Sequence, residues 1–546
     1  MARGKGFQVC WLAALALGCG SDDAEVGICD ADELVAALEA AEPGDVVQLG
    51  RCTVTGTFAL QAGVELRGFG PESSGLDMAG RVGMRVSAGT AGQPSFLRNL
   101  RMTSRRTARA VQATGDGTGE VHVENVEIAV QAGAALVASG IGRLVVRQST
   151  LQGALPDDPA GALDSVFTNV ASAVPDPLPA ASECTTEPVG GGCTPGVPLE
   201  DVSCSVGSCG PFERYCDACG REVVVASDAG LLAADVDAVE VEGLEVGGFV
   251  NFGLAHANAE LGTTRVAASL LAGNSGTGVF VSGTSLALED VEVTRHYERL
   301  TQSFAAVFVQ NQDFPTATVR TDGLRLIDVS AYGVIQRGGS AEHVAPMTMN
   351  QQFPSFWAGE VDAFTVCDGM LTDGRLAGIV TVEARNVEIM DTTLQRTSAS
   401  RTTIGQEGSV GAITMGDGIH AVATPDLFLE GVRFTNNERV GLLLDLGPTG
   451  AGDMPCVAGR GICIDSSNTV ESEEGVAGAL GARVGDRESA VVSRPVSAEG
   501  AWGASLERLG GAASDADLPA DLAEQIVGAV APIDRPRPDG AVAPID

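Results

Sequence analysis

An eight-residue pattern of apolar and polar positions recurs along most of the chain. The clearest copy, from Leu286 to Val293, places two apolar pairs on either side of a polar bend. Such alternation is typical of a strand with one buried face, and Asn, Asp and Gly tolerate the left-handed backbone of a bend. Each copy therefore predicts two short strands joined by a one- or two-residue bend. Copies begin at Ser95, Val121, Leu144, Val239, Thr264, Leu286, Val319, Val382 and Leu427.

The bend position supports this interpretation in most copies. Gln148 and Ala268 are the exceptions, and the other bends are Asn99, Asn125, Gly243, Asp290, Gly323, Asn386 and Gly431. The starts at Ser95, Val121 and Leu144 are 26 and 23 residues apart, which is the length of one solenoid turn.

A second apolar run follows several copies and supplies a third strand to each turn. These runs lie at 278–281, 306–309, 333–335 and 441–444. Three strands per turn of this length predict a parallel β-helix, in which stacking buries the inner face that no turn buries alone. A β-sandwich of short strands is the alternative, but sandwiches keep no solenoid period.

Three segments of the chain resemble right-handed, pectate-lyase-like β-helices. They are 43–49 (Pro-Gly-Asp-Val-Val-Gln-Leu), 63–70 (Gly-Val-Glu-Leu-Arg-Gly-Phe-Gly), and Asn436-Asn437 followed by 441–444. The resemblance covers roughly residues 28–465 and implies an all-β, right-handed, single-stranded parallel β-helix. It leaves the activity open, because this superfamily includes lyases, hydrolases, adhesins and non-catalytic surface proteins.

Segments that flank the repeat predict an exported protein with capped ends. Residues 1–18 read as a signal peptide, with Arg3 and Lys5 before a short apolar core. The run before Cys19 resembles a bacterial lipobox, which implies lipidation of Cys19, anchoring to the outer membrane or cell surface, and a linker over 19–27. An ordinary cleaved signal is the alternative. No other segment is long and apolar enough to cross a membrane.

A short amphipathic helix is predicted just before the first strands. Asp30 can cap it, Leu34, Val35 and Leu38 form its apolar stripe, and it ends at Pro43. In this place it is expected to cover the open N-terminal end of the solenoid. The repeat, assigned to 28–470, gives way to a Pro-, Ala- and Gly-containing region at 471–546, for which we expect a C-terminal cap or a disordered tail.

Cysteine usage favours an oxidising compartment. Six cysteines lie in an insertion at about 152–221, where three disulfides are favoured over a four-cysteine zinc site. Cys367 lies in an apolar strand, where a buried, inert thiol is expected. The disulfide candidates are Cys29, Cys52, Cys184, Cys193, Cys204, Cys209, Cys216, Cys219, Cys456 and Cys463.

The charge balance narrows the set of partners. The chain has 71 acidic residues against 34 Lys and Arg, for a formal net charge of −37. Nucleic acid is therefore an improbable partner, and a polyanion requires a local basic groove or a bridging cation. Aromatic residues make up only 4% of the chain, which is low for a surface that stacks sugar rings.

Candidate chemistry lies two residues beyond the end of each eight-residue copy. Solenoid turns stack equivalent positions about 4.8 Å apart, so these residues form a column that turns polar in its second half. The candidate proton-transfer residues are Arg295, His296 and Arg299. The candidate binding residues are Tyr297, Asp328, Tyr332, Arg337 and Asp391. The resemblance to the lyases implies Ca²⁺ on Asp328 and Asp391; the alternative is an exposed salt-bridge ladder that only maintains register.

The sequence favours a non-catalytic function. It contains no paired-Asp and Gly-His-Gly arrangement, no Gly-x-Ser-x-Gly, no His-Glu-x-x-His and no phosphate loop. We therefore expect a lipid-anchored cell-surface scaffold, without a cofactor, that binds a glycan or a surface protein. The alternative is a Ca²⁺-dependent lyase, or another carbohydrate-active enzyme, acting on an acidic polysaccharide.

Overall fold

A computed structural model describes the repeat region and parts of the chain that follow it. The residues described are 27–79, 82–104, 109–131, 133–153, 212–216, 222–226, 229–249, 251–296, 305–398, 400–404, 411–437, 441–445, 462–464, 467–471, 479–483, 490–493 and 505–508.

One helix and many short strands make up this part of the chain. The N-terminal elements are α1 (Ala31–Ala40), β1 (Val46–Gln48), β2 (Thr53–Gly56), β3 (Phe58–Leu60), β4 (Glu65–Arg67), β5 (Gly75–Met78), β6 (Val82–Ser87), β7 (Ser95–Ser104), β8 (Arg109–Thr114), β9 (Glu120–Val130), β10 (Ala134–Arg147) and β11 (Thr150–Gln152). The next are β12 (Phe212–Cys216), β13 (Glu222–Ala226), β14 (Ala229–Glu242), β15 (Glu245–Gly247), β16 (Phe252–Ala267), β17 (Leu270–Ala272), β18 (Thr277–Glu289), β19 (Glu292–His296), β20 (Ala305–Gln310), β21 (Thr318–Asp322) and β22 (Arg325–Val329). They are followed by β23 (Tyr332–Arg337), β24 (Ser340–Val344), β25 (Met347–Gln351), β26 (Phe356–Gly359), β27 (Ala363–Cys367), β28 (Met370–Thr372), β29 (Ala377–Val382), β30 (Asn386–Met390), β31 (Thr393–Gln395), β32 (Ser400–Ile404) and β33 (Gly411–Met415). The last are β34 (Asp417–Val422), β35 (Asp426–Glu430), β36 (Arg433–Thr435), β37 (Leu442–Asp445), β38 (Ile462–Ile464), β39 (Thr469–Glu471), β40 (Ala479–Arg483), β41 (Ala490–Ser493) and β42 (Ser505–Arg508).

Three parallel sheets form the walls of a right-handed solenoid, which confirms the predicted fold class. Each turn adds one strand segment to each sheet, and long strands such as β10 bend from one sheet into the next. Sheet A comprises segments of β1, β4, β7, β9, β10, β14, β16, β18, β21, β24, β27, β30, β35 and β38. Sheet B comprises β2, β5, β7, β9, β11, β15, β17, β19, β22, β25, β28, β31, β36 and β39. Sheet C comprises β3, β6, β8, β10, β14, β16, β18, β20, β23, β26, β29, β34, β37 and β40.

A column of left-handed residues turns the chain from sheet A into sheet B. Asn99, Asn125 and Asp290 have φ of 55°, 52° and 50°, and Asn125 Nδ2 donates to Asn99 Oδ1 at 2.8 Å. The two sequence exceptions, Gln148 and Ala268, share this conformation with φ of 46° and 47°. The stacking of turns therefore requires a left-handed backbone at this position, even where the residue does not favour that conformation.

One copy of the repeat was placed in the wrong register. Val387, not Val382, pairs in line with Leu427, so the bend of this turn is Asp391. Asn386, the predicted bend, lies within β30 and pairs with Asp426. Both Asn and Asp suit a bend, and the apolar pattern alone did not separate the two choices.

The N-terminal cap forms as expected. Asp30 Oδ1 accepts hydrogen bonds from the backbone N–H groups of Asp32 and Glu33, both at 3.0 Å, and Leu34 and Leu38 are buried against the first turns. The disulfide between Cys29 and Cys52 joins the segment before α1 to the first turn and confirms that pairing. Helix α1 thus covers apolar surface that no preceding turn covers.

Three of the connections from sheet B to sheet C are long. Residues 154–228 separate β11 from β14, residues 297–304 separate β19 from β20, and residues 396–416 separate β31 from β34. Each of these connections runs from sheet B to sheet C, and two of them contain antiparallel hairpins, β12–β13 and β32–β33. The insertion predicted at about 152–221 is the first of the three. Because β10 pairs with β14 and β11 with β15, it separates two adjacent turns.

The parallel ladder extends past residue 470. Strand β37 pairs in parallel with β40, and β41 and β42 then add antiparallel strands. Among the described residues, no helix has the length and apolarity to cross a membrane. Residues 1–26, which include Cys19, the predicted signal and all but the last residue of the predicted linker, lie outside the described residues.

Candidate functional site

The outward faces of sheets A and C carry opposite kinds of side chain. Sheet A presents ion pairs between neighbouring turns, namely Arg98–Glu124 (2.8 Å), Arg143–Glu240 (2.7 Å) and Arg265–Glu289 (2.6 Å). Sheet C presents an apolar column: Val137, Leu232, Ala255, Phe280, Phe308, Ile335, Trp357 and Val380. A contiguous apolar column on an outer face is typical of a binding surface. The exposed ion pairs of sheet A add little to the stability of the fold.

Two aromatic side chains in the second half of the apolar column are partly accessible, although their neighbours Ile335 and Val380 are buried. Leu232 and Phe280 are buried, whereas Phe308 and Trp357 are half-exposed. Phe280 contacts Phe308 edge to face with ring centroids 5.6 Å apart, so the rings continue from the buried part into the accessible part. We therefore place the candidate site on the outward face of sheet C around β23 and β26.

Three half-buried rings and one guanidinium form what we call the aromatic platform, which is Tyr332, Phe353 and Trp357 with Arg337. The rings of Tyr332 and Phe353 stack at 5.1 Å with an interplanar angle of 27°. The Arg337 guanidinium carbon lies 5.4 Å from the centroid of the Trp357 ring, within the range of a cation–π contact. The platform offers flat apolar faces bordered by a fixed positive charge.

Local sequence explains why the Trp357 ring lies on the sheet. A Cβ at Gly359 would be only 2.3 Å from an atom of that ring, so the indole occupies the space that a side chain at 359 would need. Phe353 and Trp357 both pack against the buried cluster of Leu376, Ala377 and Val380. The next turn thus supports the platform from one side and leaves its outer faces accessible.

The polar column predicted from the sequence exists at the corner between sheets B and C. Arg295 and Asp328 lie on adjacent turns, since Thr294 pairs with Ile327. Both are exposed and left-handed, with φ of 48° and 55°. Asp328 Oδ1 accepts a hydrogen bond from Asn350 Nδ2 at 2.7 Å on the following turn.

Further along this corner, two members of the column form a bidentate ion pair. Arg396 Nε and Nη2 donate to Asp373 Oδ1 and Oδ2 at 2.6 and 2.8 Å. The hydrogen bond from Arg396 lowers the pKa of Asp373 below its ordinary value. These contacts match the register-keeping ladder that was the alternative interpretation of the column.

Asp391 does not belong to this column, because the copy that supplied it was out of register. It is a bend residue between sheets A and B, in line with Gly431 and Asp290. Asp328 lies in β22, and Asp391 lies just before β31. These two strands are three turns apart, or roughly 14 Å along the solenoid axis. The two carboxylates are therefore too far apart to share one Ca²⁺. Among the described residues, no group of three or more His, Cys, Asp and Glu side chains is arranged to hold a metal ion.

The remaining candidate residues separate into two groups. Tyr332 and Arg337 lie on sheet C, in the aromatic platform, whereas Arg295 and Asp328 lie on the corner that borders it. His296 ends β19, and Tyr297 and Arg299 lie outside the described residues. Of the predicted binding residues, Tyr332 and Arg337 therefore share the platform, and Asp328 lies with Arg295 on the adjoining corner.

A buried acid and a buried histidine lie farther along the same outward face. His420 follows Trp357 and Val380 in the column, and its Nδ1 is 3.7 Å from Oδ2 of Asp417. Neither Asp417 nor His420 is among the site candidates predicted from the sequence. Pairing between β29 and β34 aligns Asp417 with Ala377 and His420 with Val380, two members of the same buried cluster, and simple alternation along the sequence does not predict this.

Phe353 and Trp357 were also missed as site residues. The gap in the recognised copies between Val319 and Val382 concealed two turns, with Ala345 and Asp368 at their bends. Without these turns, Trp357 had no position on a sheet. A low overall aromatic content also obscured the fact that several aromatic residues gather on one face.

Apart from Cys29 and Cys52, the predicted disulfide cysteines fall where no side chain is described. Cys216 and Cys463 lie in β12 and β38, and the other six lie outside the described residues: Cys184, Cys193, Cys204, Cys209, Cys219 and Cys456. Cys367 is a half-buried free thiol, and burial raises its pKa to about 11.

Comparisons with known proteins find similarity only among solved structures. No protein-family model and no curated protein matches the chain. The mannuronan C-5 epimerase AlgE4 A-module of Azotobacter vinelandii is 12% identical, over 82% of this chain and 93% of its own, with a TM-score of 0.29. A PL6 alginate lyase in complex with a trisaccharide is 9% identical, over 95% and 98%, with a TM-score of 0.31. Tailspike protein 3 of bacteriophage CBA120 is 11% identical, over 84% and 59%, with a TM-score of 0.32. Likeness at this level carries no functional argument.

Proposed function

We propose that this chain is an exported, non-catalytic scaffold that binds an extended polysaccharide along the outward face of sheet C. The observation that carries the proposal is the aromatic platform of Tyr332, Phe353, Trp357 and Arg337. Aromatic rings present large apolar faces at low conformational cost, and those faces suit the C–H faces of sugar rings. The Arg337 side chain adds donors for hydroxyl or carboxylate oxygens.

The direction of the sheet supports an extended ligand. Turns repeat about every 4.8 Å, so a chain that lies along the solenoid axis meets an equivalent surface position at each turn. Phe308, Ile335, Trp357 and Val380 occupy successive positions of this kind. Phe308 and Trp357, two turns apart, are the partly exposed members, so a polymer along the axis would meet an aromatic ring at every second turn.

Charge favours a neutral polysaccharide over a polyanion. The whole chain carries a formal net charge of −37. The apolar column of sheet C contains no basic residue, and Arg337 is the basic side chain of the platform. A polyanion would be repelled by the acidic surface, more so at low salt. Neutral chains avoid this cost and still gain the ring contacts.

Export is part of the proposal. The Cys29–Cys52 disulfide supports folding in an oxidising compartment. A lipid on Cys19 would place the solenoid at the outer membrane or cell surface, where extended glycans are available.

A second candidate function rests on Asp417 and His420. The pair lies on the same outward face, two turns beyond Trp357, or roughly 10 Å along the axis. A histidine oriented by a carboxylate is a common general base. In this case the chain would cleave the polysaccharide that the platform binds.

One screen tests both functions. A soluble form of the chain starting at Gly20 is offered neutral and acidic polysaccharides, and binding and new chain ends are measured together. We expect retention on a neutral polymer, weakened about five- to thirtyfold by Trp357→Ala or Tyr332→Ala, because each substitution removes about 1–2 kcal/mol of ring contact.

Phe96→Ala provides the matched control. Phe96 is a half-buried ring on sheet A with the Arg98 guanidinium 4.1 Å above it, so it copies the ring-and-arginine arrangement on another face. Equal loss in Phe96→Ala, or no loss in Trp357→Ala, contradicts the proposed site. Chain cleavage that disappears in the isosteric Asp417→Asn variant would replace the non-catalytic function with the second candidate.

A further inference from the structure

Sheet B carries an exposed group of methionines on its outward face. Met349 and Met370 are 43% and 49% exposed, and they are two of only four large apolar side chains exposed among the described residues. Met347 is half-exposed beside them. Such exposure of soft apolar side chains at one place calls for an explanation.

The three side chains share one face of two neighbouring turns. In β25 the alternation buries Thr348 and turns Met347 and Met349 outward. In β28 it buries Leu371 and turns Met370 outward, and Met370 pairs directly with Met347. Strand geometry places paired residues about 4.8 Å apart and alternate residues of one strand about 7 Å apart.

We propose that Met347, Met349 and Met370 form a binding site for a soft monovalent metal ion, Cu(I). Thioether sulfur is a ligand that selects Cu(I) over harder cations. Each methionine has three rotatable bonds beyond Cα, so the three sulfur atoms can converge on one ion from these backbone positions.

The surroundings of the three methionines are compatible with a cation. Arg325, the residue in line with Met347 on the preceding turn, is paired with Glu292 at 2.9 Å. The net charge of −37 attracts cations to the molecule as a whole. Cys367 is not part of the site, because it faces outward from sheet A rather than sheet B and its thiol stays protonated at neutral pH.

The test follows the methionine methyl groups of the full chain by NMR. The protein is labelled with [methyl-13C]methionine, free thiols are blocked with N-ethylmaleimide, and Ag(I) is added as a redox-inert probe of the Cu(I) site. We expect the methyl resonances of Met347, Met349 and Met370 to shift together and saturate at one equivalent. Cu(I), added without oxygen against a competing chelator, should give the same stoichiometry.

Leucine substitutions separate metal binding from apolar contact. The variant Met347→Leu/Met349→Leu/Met370→Leu keeps the apolar surface and removes the sulfur atoms. It should bind Ag(I) at least tenfold more weakly, whereas Met390→Leu, at a half-exposed outward position of sheet A, should change nothing. Undiminished binding in the triple variant, or unshifted resonances in the parent, overturns the proposal. Either result is independent of polysaccharide binding on sheet C.

Discussion

Buried histidines stand out at the residue scale, because they are the titratable side chains whose pKa burial lowers most among those described. His343 is fully buried between Phe356 and Phe364, with ring centroids 4.7 and 5.3 Å away, and its Nδ1 is 3.0 Å from Thr321 Oγ1. Burial lowers the pKa of His343 to about 3, and burial also lowers the pKa of His256 to about 4. Both imidazoles are therefore uncharged at neutral pH.

This arrangement predicts acid sensitivity. An unfolded histidine takes up a proton near pH 6.5, whereas folded His343 does so only near pH 3, so stability falls as pH drops through this window. By pH 4.5 the loss is about 3 kcal/mol for His343. We expect the Tm of the wild-type chain to fall more steeply between pH 7 and pH 4.5 than that of His343→Asn, which keeps a polar atom near the position of Nδ1. Parallel curves for the two proteins would contradict the assigned role of His343.

At the residue scale, the position of a side chain could be predicted from the sequence where it followed a correctly registered copy of the repeat. Arg295 and Asp328 were correctly placed on adjacent turns, because both followed well-matched copies of the repeat. Asp391 was misplaced, because Asn386 and Asp391 are equally suitable bend residues and only strand pairing distinguishes them. Asp417 and His420 were overlooked, since their outward orientation follows from pairing with β29.

At the element scale, the first turn depends on covalent and apolar attachment together. Helix α1 is only ten residues long, too short to be stable alone, and it is held by Leu34, Leu38 and the adjacent Cys29–Cys52 disulfide. The capping residue Asp30 was readable from the sequence because N-cap preferences are local. The predicted helix extended slightly beyond the observed end at Ala40.

Removal of the disulfide should destabilise this end of the solenoid. We expect Cys29→Ser/Cys52→Ser to lower the free energy of unfolding by about 2–4 kcal/mol, because the unfolded chain regains the freedom of a 23-residue loop. Urea unfolding followed by circular dichroism measures the change. Cys367→Ser, at a half-buried free thiol, is the control and should change stability by less. A double variant as stable as this control would show that the cap does not depend on the disulfide.

At the scale of the whole molecule, the three faces differ in character. Sheet A carries cross-turn ion pairs, sheet C carries the apolar column, and three long connections lead from sheet B to sheet C. The long connections each lead into a strand of sheet C, and loops on a rigid scaffold commonly carry binding functions, which supports that face as the binding surface. The period of the repeat predicted the solenoid. Which side chains share an outward face could be told only from the pairing of strands between turns.

Hydrogen–deuterium exchange of the full chain, with and without a bound neutral oligosaccharide, tests the central claim most directly. With the oligosaccharide bound, we predict slower amide exchange in four strands of sheet C: β20, β23, β26 and β29. Exchange should be unchanged in four sheet A strands from the same part of the chain: β21, β24, β27 and β30. Protection confined to sheet A or sheet B would contradict the assignment of polysaccharide binding to the outward face of sheet C.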